Sequence, residues 1–129
     1  MVALFLVAAL LGGCGSAEKV GVVDVNKVMT ESPKVQQFEE QLRTSAKELT
    51  DKLEQDKAGL SQEELQKRSM EISGEIGKQK QELSKQLNDS MDQALAAVAK
   101  EKGLTIILYK NGVAQGGTDV TDDVVKKMQ

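Results

Sequence analysis

The chain has 129 residues, with 17 Lys and Arg against 20 Asp and Glu, no His, one Cys, two Phe and one Tyr. A single thiol without any imidazole excludes an intrachain disulfide, a zinc site of the usual Cys/His type, and Cys–His or Ser–His–Asp catalysis. The slight acidic excess and the shortage of aromatic rings argue against nucleic acid as a partner, which requires a basic face with stacking platforms.

The chain opens on "MVALFLVAALLGGCGSAE". Val2 to Leu11 is an uninterrupted apolar run, well short of the ~20 residues that a membrane-spanning helix requires. Its length suits the apolar region of a secretory signal, with small residues following at a cleavage site. Leu11-Gly12-Gly13-Cys14 fits a bacterial lipobox, in which an aliphatic and two small residues precede the cysteine that carries the lipid. The expected organisation is a lipoprotein-type signal peptide at 1–13, lipidation at Cys14, a short tether at 14–18 and one domain at 19–129. "MVALFLV" carries no Lys or Arg, a departure from the basic start of a signal. The alternatives are an ordinary signal with an incidental cysteine, or a buried N-terminal strand.

"KVGVVDVNKV" carries a β-branched run at Val20, Val22, Val23 and Val25 and reads as a strand. Ser32-Pro33 follows as an N-cap with Pro at the first helical position. Val35, Phe38, Leu42, Ala46, Leu49 and Leu53 then recur at steps of three and four, a narrow apolar stripe on a charged helix. Gly59 predicts a left-handed helix end, and Ser61 with Glu64 predicts a capping box opening the next helix. The stripe resumes at Leu65, Ile72, Ile76, Leu83, Leu87, Met91, Leu95 and Val98, and Gly103 closes it. Folding back near 58–61 gives an antiparallel hairpin over 33–102 in which Leu53 faces Leu65 and Ala46 faces Ile72. A rival turn at "SGEIG" lacks a cap. Gly74 and Gly77 read either as a flexible joint or as a site of close helix approach. The second helix is the longer, so Leu87, Met91, Leu95 and Val98 extend past the start of the first and need another partner.

"LTIILYKNGVAQGG" predicts a strand from Leu104 to Tyr109, with Asn111-Gly112 as a hairpin turn into Val113–Gln115. "DVTDDVVKKM" predicts a closing helix with Thr121 as N-cap, acidic residues in its first turn and lysines in its last. The adjacent carboxylates Glu39/Glu40, Glu63/Glu64 and Asp122/Asp123 do not face each other on a helix and read as solvated surface. The fold class is α+β: a small β-sheet body from the two ends of the chain, with a long antiparallel α-helical coiled-coil hairpin protruding from it. So small a body is marginal alone, and association between copies is expected.

In order and spacing, "VGVVDVNKVM", the charged helical hairpin with its tip "DKAGLSQEELQKR", "LTIILYKNGV" and "DVTDDVVKKM" resemble the Skp/OmpH family of periplasmic chaperones. The resemblance spans Lys19 to Met128. It implies a homotrimer whose hairpins enclose unfolded outer-membrane proteins without ATP, with no cofactor and no metal. The net acidity of this chain departs from the basic surface common in that family, and its hairpin looks shorter. On this reading Leu42, Leu49, Leu53, Leu65, Ile72 and Ile76 are candidate client contacts. Val22, Leu87, Met91, Leu95, Val98, Ile106 and Leu108 are candidate interface positions between copies. The expected protein is a holdase in the periplasm, held to a membrane through Cys14; the alternative is an adaptor lipoprotein of the cell envelope.

Overall fold

The computed structural model describes residues 18–129. The expected signal segment at 1–13, Cys14 and the expected tether up to Ala17 lie outside the described residues. The described chain is predominantly helical, with a small three-stranded open sheet.

Strand β1 (Val20–Val23) is the middle strand of the sheet. It pairs in parallel with β2 (Ile106–Tyr109), Val20 opposite Ile106 and Val23 opposite Tyr109, and in parallel with β3 (Thr118–Asp119). Parallel neighbours require a crossover. Between β1 and β2 the crossover consists of helices α1 (Val25–Glu31), α2 (Pro33–Asp56) and α3 (Gln62–Lys102). Helix α4 (Thr121–Lys127) follows β3.

Several local expectations hold. The Ser61 hydroxyl accepts from Glu64 N–H while the Glu64 carboxylate accepts from Ser61 N–H, so the capping box opens α3 as the sequence predicts. Gly103 ends α3 in the left-handed region at φ 61°, where a side chain would be strained. The strand after it is present as β2.

Others are corrected. The strand expected to reach Val25 stops at Val23, because the Asp24 carboxylate accepts from Lys27 N–H and caps α1, a helix absent from the sequence reading. Ser32 does occupy the N-cap position of α2 with Pro33 behind it, but its hydroxyl donates to the Met128 carbonyl at 2.8 Å instead of capping. Gly59 is not left-handed; it ends a 3-10 turn, Lys57–Gly59. Asn111-Gly112 forms no hairpin: Lys110–Gly112 is a 3-10 turn without positive φ, and positive φ comes later, at Gly116 and Gly117. The two-residue type I′ turn that Asn-Gly favours needs positive φ at both central residues. Thr121 is the first helical residue of α4 and not its cap; its N–H donates to Asp119 Oδ1 at 2.9 Å.

The core gathers both ends of the chain. Val23, Val28, Val35, Ala94, Val98, Val120, Val124 and Met128 form one buried cluster with no aromatic ring in it. Val23 and Val28 come from the N-terminal side, Val120, Val124 and Met128 from the C-terminal side, and α3 supplies Ala94 and Val98. The base of the long helix, which extends past the start of α2 and needs another partner, therefore finds it, at least in part, in the two ends of its own chain.

Candidate functional site

Outside the body, α2 and α3 are in contact with each other. Their burial follows the stripe. Phe38, Leu42, Ala46, Leu49 and Leu53 on α2 are half-buried, as are Leu65, Ile72, Ile76, Leu83 and Leu87 on α3. Gln79 is half-buried as well and fills the step between Ile76 and Leu83. From Gln36 to Gln93 no side chain is fully buried. A seam of this kind stabilises two helices against each other yet leaves most of their surface in water.

The candidate client contacts Leu42, Leu49, Leu53, Leu65, Ile72 and Ile76 all lie on this seam, partly covered. The end of α2 and the start of α3 share a cleft lined by Asp56, Gly59, Leu60, Glu64, Lys67, Arg68 and Glu71. The Ser61 hydroxyl, and after it the Ser61 N–H, holds the Glu64 carboxyl below its ordinary value. Ion pairs on the helices join neighbours one turn apart, Arg43 to Glu40, Lys57 to Glu54 at 3.6 Å and Arg68 to Glu71 at 3.4 Å. All are exposed, where such pairs contribute little.

The body presents a different surface. Its strand β2 pairs only on one side, and Ile106, Leu108 and Tyr109 are 46%, 40% and 59% exposed. Of the candidate interface positions, Ile106 and Leu108 are thus open. Leu87, Met91 and Leu95 are half-buried against the core, Val98 lies inside it, and Val22 is buried outside that cluster. The burial of Val98 needs no second copy. The exposure of β2 follows from its place at the sheet edge, which the strand pattern alone does not reveal.

Charge in the body is arranged in pairs between elements. Lys27 Nζ lies 2.7 Å from Asp122 Oδ1, and this hydrogen bond holds the Lys27 ammonium above its usual value. Lys102 meets Asp123 at 2.9 Å, and Lys110 lies 3.6 Å from Asp24 and 3.9 Å from Asp119. An open crevice of about 540 Å³ lies beside the carboxyl ends of β1 and β2, lined by Asp24, Asn26, Tyr109, Lys110 and neighbouring residues. Among the described residues no group of His, Cys, Asp or Glu is placed to hold a metal ion, and no buried side-chain polar atom lacks a hydrogen-bond partner.

One exposed apolar side chain escaped the stripe analysis. Met70, 70% exposed, lies off the seam on α3. Its offset from Leu65 and Ile72 around a helix at 3.6 residues per turn marks it as outward-facing.

Comparison with known proteins bears on the same segments. No curated protein matches the chain. The family description "Outer membrane protein (OmpH-like)" matches residues 60–128, from the tip through α3, β2 and β3 to the end of α4. That span is more than half of the sequence and includes every element that builds the body except β1, α1 and the start of α2. The chain therefore belongs to the OmpH-like family.

Proposed function

We propose that the chain is an ATP-independent holdase for unfolded outer-membrane proteins, working in the periplasm as a homotrimer and held to a membrane by a lipid on Cys14. It acts by binding, not by catalysis. The supporting observation is the pair of long helices whose apolar side chains, outside the body, lie mainly along a half-buried seam. On this reading α2 and α3 form a coiled-coil hairpin that folds back at the Lys57–Gly59 turn. Its exposed surface offers many weak contacts, and several arms acting on one client raise the total affinity. Release needs no nucleotide when a more stable destination competes for the client.

Membership in the OmpH-like family supports the chaperone role. The open edge of β2, with Ile106, Leu108 and Tyr109 exposed, supports association of copies through the body, since unpaired strand edges recruit further strands. The lipobox at Leu11–Cys14 supports the tether. A diacylglyceryl mass on the membrane-extracted protein, absent in Cys14→Ala, is the expected sign of it.

The test of the function is light scattering from an outer-membrane β-barrel diluted out of urea, with the mature chain carrying Cys14→Ser. Suppression of aggregation is expected near one trimer per client. It should be lost when 45–75 is replaced by a short turn that leaves the body intact. Unchanged aggregation with the parent chain rejects the holdase reading in favour of an adaptor with one folded partner.

A further inference from the structure

At about 100° per residue, the sequence of α3 between Glu64 and Ser90 sorts into three longitudinal strips. The first is the seam, marked by the half-buried Leu65, Ile72, Ile76, Gln79, Leu83 and Leu87. The second carries nearly all the charge, including Lys67, Arg68, Glu71, Glu75, Lys78 and Glu82, every one exposed. The third has none. It runs through Gln66, Met70, Gly74, Gly77, Gln81 and Asn88, all exposed, with Ser73 and Ser84 at its margin. Lys80, bordering the seam, is the charge nearest to its other side.

Ordinary helix economy does not account for the third strip. Each glycine weakens a helix by about 1 kcal/mol relative to alanine, and packing gives nothing back here. A Cβ built at Gly74 or at Gly77 meets nothing within 4 Å, so the close helix approach that would explain the pair is absent. Met70, 70% exposed, sits on the same strip one turn before Gly74.

The geometry points to this uncharged flank of α3 as a docking surface for an extended, unfolded polypeptide. The inference rests on the holdase reading and names the surface that would serve it. Its chemistry matches a bare peptide chain. The side-chain amides of Gln66, Gln81 and Asn88 each donate and accept, as the N–H and C=O groups of a client backbone do. The two glycines uncover the helix backbone and let a chain approach closely. Met70 adds a flexible apolar contact that adapts to different side chains. A strip without fixed charge discriminates neither acidic nor basic segments. From Gln66 to Asn88 it spans about 33 Å at ~1.5 Å per residue, room for about ten residues of extended chain at ~3.3 Å each. The seam leucines and isoleucines, expected to hold clients, are instead partly covered.

The test measures binding of a fluorophore-labelled, urea-unfolded outer-membrane β-barrel by anisotropy to the mature chain carrying Cys14→Ser. Gly74→Lys with Gly77→Lys fills the strip with charge at positions where lysine favours the helix. Glu71→Gln with Glu82→Gln changes the net charge by the same amount on the charged flank. The lysine pair should weaken binding about fivefold or more, because its side chains cover the bare helix backbone and place charge where the client's uncharged backbone would lie, and the glutamine pair by less than about twofold. Circular dichroism should show both variants folded, and sedimentation should show both with the parent's oligomeric state. Equal affinity of the lysine variant and the parent overturns this surface and leaves the holdase reading standing. A parent that binds no unfolded barrel overturns both. A changed oligomeric state in the lysine variant alone assigns the strip to contact between copies and overturns client docking there.

Discussion

The backbone N–H of Asp24 donates to the hydroxyl of Thr121 at 2.9 Å, across 97 positions of sequence. The bond ties the end of β1 to the start of α4, and Thr121 is buried at 2% exposure. Thr121→Val keeps the shape and removes the acceptor. An unsatisfied buried donor costs about 1–3 kcal/mol, so urea unfolding should show a loss in that range, with the helical signal of the native state unchanged.

Acid should loosen the same junction. The Thr121 side chain first, its N–H second, and Lys110 more weakly, hold the Asp119 carboxyl below its ordinary 3.8. A carboxyl lowered in the folded state contributes stability above its ordinary value and loses it as pH falls through that value and then through the folded one. Stability from Asp119 is therefore full near neutral pH and declines below about pH 4. In Asp119→Asn that part of the pH dependence should be missing when urea midpoints are compared between pH 6 and pH 3.

Glycines in this chain should respond in opposite directions to the same substitution. Gly117 sits at φ +87°, and a Cβ there would clash with Val22 Cγ2. Gly117→Ala combines backbone strain with a clash against β1 and should lower the melting temperature sharply. Gly74→Ala and Gly77→Ala meet open space and should each stabilise α3 by about 1 kcal/mol. A thermal melt followed by circular dichroism separates the two cases.

Assembly is best probed where a single chain does not need the residue. Val98 is wholly inside one chain, so Val98→Asp should unfold the body whether or not copies associate. Ile106→Glu with Leu108→Glu alters only exposed positions of β2. Sedimentation should find folded monomers for this variant and trimers for the parent. A parent that sediments as a folded monomer rejects the trimer.

The long helices were legible because their signals are local: a stripe at helical spacing, a capping box at Ser61 and Glu64, a left-handed Gly103. The body was harder. Val25 and Val28 look like continued strand by residue type, yet Asp24 sits between them and β1, and its cap turns the chain into α1. Asn111-Gly112 is a strong hairpin dipeptide, but both neighbours of β1 run parallel to it, which a two-residue turn cannot supply. β3, at Thr118–Asp119, is too short to leave an alternating pattern. The edge exposure of Ile106 and Leu108 depends on strand order, which no local pattern carries. The uncharged flank of α3 was present in the sequence throughout, but only as a spacing of residues that lack charge.

The buried Met128 side chain sets a schedule for the making of this protein. It is 1% exposed, and its carbonyl receives both Ser32 Oγ and Lys34 N–H. The body therefore closes through contacts between the two ends of the chain, and until the last residues are free to fold β1 lacks its partners there. During that interval the valines of β1 are unpaired strand, the same kind of hazard that an unfolded barrel presents. A chain built this way passes through the condition of an unfolded barrel before it reaches its own fold.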